Sequence, residues 1–167
     1  MDTITFKGIP LHLEGRQPAQ GAKAPDFDLL ANDLSPRTLK NYHGSILVLL
    51  SVPSLDTPVC DTEVRRFNRE AANLSDKVRI VAASCDLPFA QARWCGSAGI
   101  SAVETLSDHR ETSFGRNYGV LIKELRLLAR AVFVVARDGT VAYGRIVPEM
   151  THEPDYDEVL AAIQKLV

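Results

Sequence analysis

Apolar residues alternate with polar ones twice near the start of the chain, at Ile4 and Phe6 and again at Leu11 and Leu13, with Gly8-Ile9-Pro10 between them. A period of two around a turn predicts an N-terminal β-hairpin. Residues 15–25 carry Gly, Pro, Gln and Ala without period and read as a loop, and Phe27 to Leu30 reads as a short strand. After His43-Gly44, the mostly apolar run from Ile46 to Val52 fits a strand buried on both faces. Thr57-Pro58 then supplies a capping side chain and a proline suited to the first helical position. Val64, Phe67, Ala71 and Leu74 follow at spacings that mark one face of a helix. Val78 to Ser84 is the next expected strand, which completes a βαβ unit.

Further on, Pro88 to Cys95 reads as a short helix stopped by Gly96, Val103 to Leu106 as a short strand, and Glu111 to Tyr118 as a helix ending at Gly119. Ala131 to Ala136 and Val141 to Val147 flank Arg137-Asp138-Gly139-Thr140, a hairpin turn sequence. Tyr156, Val159, Leu160 and Ile163 mark a closing amphipathic helix. A βαβ unit followed by a hairpin and a C-terminal helix is similar to the thioredoxin-like α/β sandwich. The expected fold is a central mixed β-sheet flanked by helices, with the hairpin at its start, in one domain over residues 1–167. Fold alone carries no function.

Composition narrows the classes. The chain has 167 residues, 46% hydrophobic and 24% charged, as in ordinary globular proteins. Its net charge of −2 offers no basic field for nucleic acid. Unbroken apolar runs such as Ile46 to Leu50 are far short of the about 20 residues of a membrane span. The first residues lack the basic and apolar regions of a secretory signal, so a cytoplasmic protein is expected. His12, His43, His109 and His152 are scattered at no metal-ligand spacing, and no glycine-rich phosphate loop occurs. Neither a metal nor a cofactor is expected.

The three cysteines, Cys60, Cys85 and Cys95, form no C-x-x-C pair. Cys60 is the informative one. With Thr57 as N-cap it falls in the first helical turn, where free N–H groups and the helix dipole favour thiolate over thiol. Thr57 is placed to bond either the Cys60 N–H or its sulfur. Asp61 and Glu63 oppose a thiolate, and Arg65, Arg66 and Arg130 are candidate compensating cations. The site follows a buried strand, where α/β folds place their chemistry.

Pro53, Thr57 and Cys60 form a P-x-x-x-T-x-x-C motif that resembles the peroxiredoxins. The stretch Ser54 to Cys60, Arg65-Arg66-Phe67-Asn68, Asp86 to Gly96, Ala129-Arg130-Ala131 and Glu153-Pro154-Asp155-Tyr156 resemble, more narrowly, the bacterial thiol peroxidase subfamily. The resemblance covers nearly the whole chain. It implies that Cys60 is the peroxidatic cysteine, attacking a peroxide O–O bond and becoming a sulfenic acid. It implies that Thr57 and Arg130 orient the peroxide and that Pro53 shields the sulfur. It further implies that Cys95 resolves the sulfenic acid as an intramolecular disulfide after local unfolding, that thioredoxin is the reductant, and that the protein is a homodimer acting on hydrogen peroxide and organic hydroperoxides.

Cys85 departs from the family pattern. It reads either as a small buried hydrophobe or as an alternative disulfide partner. Trp94 reads as a packing residue. Two other functions fit part of the pattern. A peroxide sensor or redox relay would use the same cysteines, and a non-redox binding module would leave Cys60 inert.

Overall fold

A computed structural model describes residues 2–167. Strands β1 (Thr3–Phe6) and β2 (Ile9–Glu14) form the expected hairpin, with Phe6 opposite Ile9. The turn is Lys7-Gly8, at φ 50° and 81°, because a two-residue loop that matches strand twist needs positive φ at both positions. Ile9 and Pro10 therefore lie in the strand rather than in the turn. Only Leu29–Leu30 of the next expected strand pairs, as β3. Side chains take the preceding amides: Phe27 N–H donates to Asp26 and Asp28 N–H to Ser113. β3 folds back on β4 (Pro36–Arg37).

The core follows. β5 (Ile46–Ser51) leads into α1 (Pro58–Glu70), then β6 (Val78–Ser84). The Ala71–Leu74 end of the expected helical face departs from α1 as a short 3-10 turn over Ala71–Asn73. α2 spans Pro88–Ala98 and therefore runs through Gly96. Its stop is Gly99, which adopts φ 68° and donates its N–H to the Cys95 carbonyl, the left-handed cap that glycine makes cheaply. Cys95 is thus inside the helix, not at its end. β7 (Val103–Ser107) precedes α3 (Ser113–Asn117). α3 is shorter than the sequence pattern suggests, because Thr112 sits at φ 50° and Asp108 caps the Phe114 and Gly115 amides. Then come β8 (Leu121–Ile122), β9 (Leu127–Leu128), β10 (Ala131–Val135), β11 (Val141–Ile146) and α4 (Tyr156–Gln164).

Seven strands form one mixed sheet in the order β11-β10-β5-β6-β7-β3-β4, and β1-β2-β8-β9 form a second, smaller sheet. β5, β6 and β7 are parallel, whereas β10 runs antiparallel to β5. All six residues of β5 are buried. Leu47 and Leu49 face one apolar cluster with Val81, Ala83, Phe114, Tyr118 and Phe133. Ile46, Val48 and Leu50 face the other, with Val64 and Phe67 of α1 and Val159 and Ile163 of α4. Coverage of both faces explains the continuous apolar run. Each large apolar side chain buried this way contributes roughly 1.5–3 kcal/mol.

Candidate active site

The parallel β5–β6 pair puts the β5–α1 loop at the carboxyl end of the sheet, and the antiparallel β5–β10 pair brings the start of β10 to the same end. Ala131 lies opposite Ser51, so Arg130 meets the segment leaving β5. This register unites residues 70 positions apart. Ser51 Oγ donates to the Ala129 carbonyl at 2.7 Å, and Val147 N–H donates to the Arg130 carbonyl at 2.8 Å. The backbone on both sides of the arginine is therefore held.

Thr57 is the N-cap of α1. Its Oγ1 accepts the Cys60 N–H at 3.4 Å and donates to the Ser54 carbonyl at 2.9 Å. Of the two bonds left open by the sequence, the cap to the amide is the one formed. Cys60 is fully buried in the first turn. Arg130 Nη1 lies 3.2 Å from its sulfur. Arg130 Nε and Nη2 both donate to the Met150 carbonyl, at 3.2 and 2.9 Å, which aims Nη1 at the thiol. Arg65 pairs with Asp61, and Arg66 lies over the Tyr156 ring. Among the three candidate cations, Arg130 alone is placed at the sulfur. Pro53 is buried two residues after β5, and Leu55 packs in the same cluster as Cys60.

Glu63 belongs to the site as well, in a way that sequence reasoning missed. Its Oε2 accepts Arg130 Nη1 at 2.7 Å, with both side chains buried. Burial pushes its carboxyl up to about 7, against the pull of Arg130. Its other oxygen has no hydrogen-bond partner among the described residues. Burial works against the Arg130 charge too, but Cys60 and Glu63 outweigh it and raise the arginine's pKa. The three-residue step from Cys60 to Glu63 on one helical face was the available signal. Asp86 is a second residue that the motif alone does not disclose. It follows β6 and accepts Ser54 Oγ, the Leu55 N–H and Ser84 Oγ at 2.7, 2.8 and 2.9 Å. It anchors the loop that carries the Thr57 cap.

Cys95 is half-buried on α2, with its sulfur 3.4 Å from Thr105 Oγ1. Thr105 aligns through Ala82 with Leu50, both in the cluster that holds Cys60. Cys60 and Cys95 thus lie on the same face of the sheet. Cys85 packs against the opposite cluster. Burial, then the nearby Asp108 and Asp86, push its thiol up to about 12. All three thiols are free in this structure. Trp94 packs beside Cys60's cluster, as expected, but it also donates its indole N–H to Asp61 at 3.0 Å.

A shallow cavity of about 440 Å³ lined by Pro58, Val59, Thr62 and Thr151 to Glu153 abuts the first turn of α1. A larger one, about 740 Å³, lies at the other end of β5 beside Ser45 and Arg137 and holds no cysteine. Among the described residues, no group of three or more His, Cys, Asp or Glu side chains is placed to hold a metal ion. No helix there is long and apolar enough to cross a membrane.

Known proteins resemble this chain over nearly its full length. Residues 19–160 match the family described as Redoxin. Thiol peroxidases from Bacillus subtilis (strain 168) and Halalkalibacterium halodurans are 52% and 54% identical to the chain. The first alignment covers 100% of this chain and 99% of the relative, and the second covers 97% of each. The crystal structure of a peroxiredoxin-like protein from Aquifex aeolicus superposes with a TM-score of 0.93 at 40% identity, covering 100% of this chain and 98% of that one. The fold is that of a Redoxin, thioredoxin-like and mixed α/β. The chain belongs to the thiol peroxidases within that family.

Proposed function

We propose that this thiol peroxidase reduces hydrogen peroxide and organic hydroperoxides through Cys60 and closes its cycle with a Cys60–Cys95 disulfide. The observation that carries the reading is Arg130 Nη1 at 3.2 Å from a buried Cys60 sulfur in the first turn of α1. In the first step the Cys60 thiolate attacks the distal peroxide oxygen. The O–O bond breaks, the sulfur is oxidised to sulfenic acid, and the leaving oxygen takes up one proton from solvent, equal to the one lost when the thiol ionised, and departs as water or an alcohol. Arg130 and the helix N-terminus stabilise the negative charge that moves from sulfur to the leaving oxygen. Thr57 fixes the turn and orients the peroxide, and Pro53 keeps bulk water from the sulfur. In the second step the Cys95 thiol displaces the sulfenic hydroxyl as water, forming the S–S bond. A dithiol reductant, thioredoxin in our reading, then returns both thiols.

The same reading makes the protein cytoplasmic and homodimeric, needing no metal or cofactor, with residues 1–167 as one folding unit. The mixed sheet buried on both faces supports one cooperative unit. Intact mass before and after one equivalent of peroxide, with peptide mapping under non-reducing conditions, tests the mechanism. Loss of two hydrogens and a Cys60–Cys95 link is the expected result. A link through Cys85 reassigns the resolver, and an unchanged mass overturns the proposal.

A further inference from the structure

The residue after Cys60 and the residue before Cys95 are bonded to each other. Asp61 Oδ1 accepts the Trp94 Nε1–H at 3.0 Å, and Asp61 Oδ2 accepts Arg65 Nε at 2.8 Å. Arg65 reaches α2 twice more. Its guanidinium lies 5.9 Å from the centre of the Trp94 ring, and its Nη1 donates to the Ala98 carbonyl at 3.4 Å. Asp61, Arg65 and Trp94 close a ring of contacts between the first turns of α1 and the second half of α2. Among the described residues, the Asp61–Trp94 and Arg65–Ala98 bonds are the only hydrogen bonds between the two helices.

We infer that this ring is a clamp that holds Cys95 in its resting place and sets the rate of disulfide formation, while leaving the reaction of Cys60 with peroxide untouched. The inference rests on the Cys60–Cys95 pairing proposed above. In the resting structure each sulfur faces a different partner, Cys60 at Arg130 and Cys95 at Thr105. A disulfide needs the sulfurs about 2.05 Å apart and the Cα atoms within about 7 Å. The two thiols are unbonded in the resting structure, so at least one cysteine must leave its partner, and the residues flanking it move along.

Beyond the packing of Trp94 and the Cys95–Thr105 contact, the second half of α2 has little else to hold it. Pro88 and Gln91, both in the first half, are the only buried residues of the helix, whereas α1 buries Cys60, Glu63, Val64 and Phe67. From Arg93 to Ala98 the helix is exposed or half-buried. Segments with few buried apolar contacts open first, so polar ties decide how often this one does. The clamp takes no part in the chemistry. As the S–S bond forms the sulfenic S–O bond breaks, and the departing hydroxyl takes up the Cys95 thiol proton as water.

The test separates the two steps. Trp94→Phe keeps the aromatic packing and removes the N–H, and Asp61→Ala removes the acceptor. After rapid mixing with peroxide, sulfenic acid is trapped with dimedone and disulfide is followed by quenched mass analysis. Trp94→Phe is expected to form sulfenic acid at the parent rate, whereas Asp61→Ala also removes a negative charge beside Cys60 and is judged on the disulfide step alone. Both are expected to form disulfide about 3- to 10-fold faster, the factor that an ordinary hydrogen bond corresponds to. Asp61→Asn keeps an acceptor for Trp94 and is expected to stay closer to the parent. Arg145→Gln removes an exposed ion pair with Glu158 elsewhere and is expected to leave the disulfide rate unchanged, which separates clamp release from general destabilisation. Trp94 is the only tryptophan, so its fluorescence in the parent should change with the disulfide step and not with the sulfenic step. Parent-like disulfide rates in both Trp94→Phe and Asp61→Ala overturn the clamp. A parent that forms sulfenic acid but never the Cys60–Cys95 link overturns the pairing itself, which is a distinguishable failure.

Discussion

Cys60 and Glu63 share a single guanidinium nitrogen. Arg130 Nη1 is 3.2 Å from the Cys60 sulfur and 2.7 Å from Glu63 Oε2. The arginine therefore serves two buried acceptors at once. Its other nitrogens are committed to the Met150 carbonyl, so the guanidinium plane has little freedom to favour one acceptor over the other.

Removing that arginine should damage folding and chemistry together. Arg130→Ala strands the Glu63 carboxyl in the interior, and breaking a buried pair costs about 3–5 kcal/mol. If Cys60 reacts as proposed, the substitution also removes a charged donor at that sulfur, a loss of about 10²–10³ in rate by analogy with oxyanion-site donors. Glu63→Gln in the Arg130→Ala background should recover part of the stability and none of the rate. Urea unfolding and peroxide consumption of the two single variants and the double variant give the answer. Strictly additive stabilities would mean that the pair is not coupled.

The pH dependence of stability follows from the same carboxyl. Burial raises Glu63 from an ordinary 4.5 to about 7 in the folded protein. Between those values the folded chain keeps a proton that the unfolded chain has lost. Stability contributed by this group therefore falls as pH rises through about 4.5 to 7. Asp108, pushed by burial up to about 6 against its bonds to the Gly115 and Phe114 amides, acts with the same sign over a lower window. Glu63→Gln should flatten the slope of the urea midpoint between pH 6 and 7, where Asp108 contributes least. An identical slope in variant and parent would show that Glu63 is ionised throughout.

Local features of the site were legible in the sequence, and distant ones were not. Thr57-Pro58 marks the start of α1 and puts Cys60 in its first turn, because capping depends on a few adjacent residues. The choice of Arg130 over Arg65 and Arg66 rests on the antiparallel register of Ala131 with Ser51, which no local pattern encodes. Resemblance to a family pointed to Arg130, and the register gives the physical reason. Glu63 looked unfavourable for a thiolate until its buried partner was placed. The sequence points to Gly96 as the end of α2, but the left-handed backbone that ends it is at Gly99. β8 and β9, two residues each, are too short to show any period.

Asp86 should behave as a positioning residue. Its carboxylate takes Ser54 Oγ and the Leu55 N–H, and the Ser54 carbonyl in turn accepts the Thr57 hydroxyl. Asp86→Ala leaves the Leu55 amide without its acceptor, a loss of about 1–3 kcal/mol. The loosened loop should lower the rate of Cys60 oxidation by about tenfold, the rate equivalent of about 1.4 kcal/mol, with the Cys60–Cys95 link still formed. Single-turnover oxidation measured beside urea unfolding separates the two effects. A full loss of stability with unchanged oxidation would make Asp86 purely structural.

Cys85 should be the silent thiol. It packs against the cluster on the face of the sheet opposite Cys60, so a Cys60–Cys85 bond would require one residue to leave its cluster and move around the end of the sheet, just past β6. Its thiol, pushed up to about 12 by burial and by Asp108 and Asp86, is ionised at pH 8 only to about one part in 10⁴. Since thiolate is the reactive form, alkylation by iodoacetamide at that pH should be about a thousandfold slower than for an unperturbed thiol. Cys85→Ser should therefore leave the yield of the Cys60–Cys95 disulfide unchanged. Its cost to stability should be small, because Cys85 is only half-buried and serine preserves its size. Timed alkylation with peptide mapping tests the reactivity, and non-reducing maps of parent and variant test the pairing. Rapid labelling of Cys85, or any disulfide through it after one equivalent of peroxide, would give this cysteine a redox role that its burial argues against.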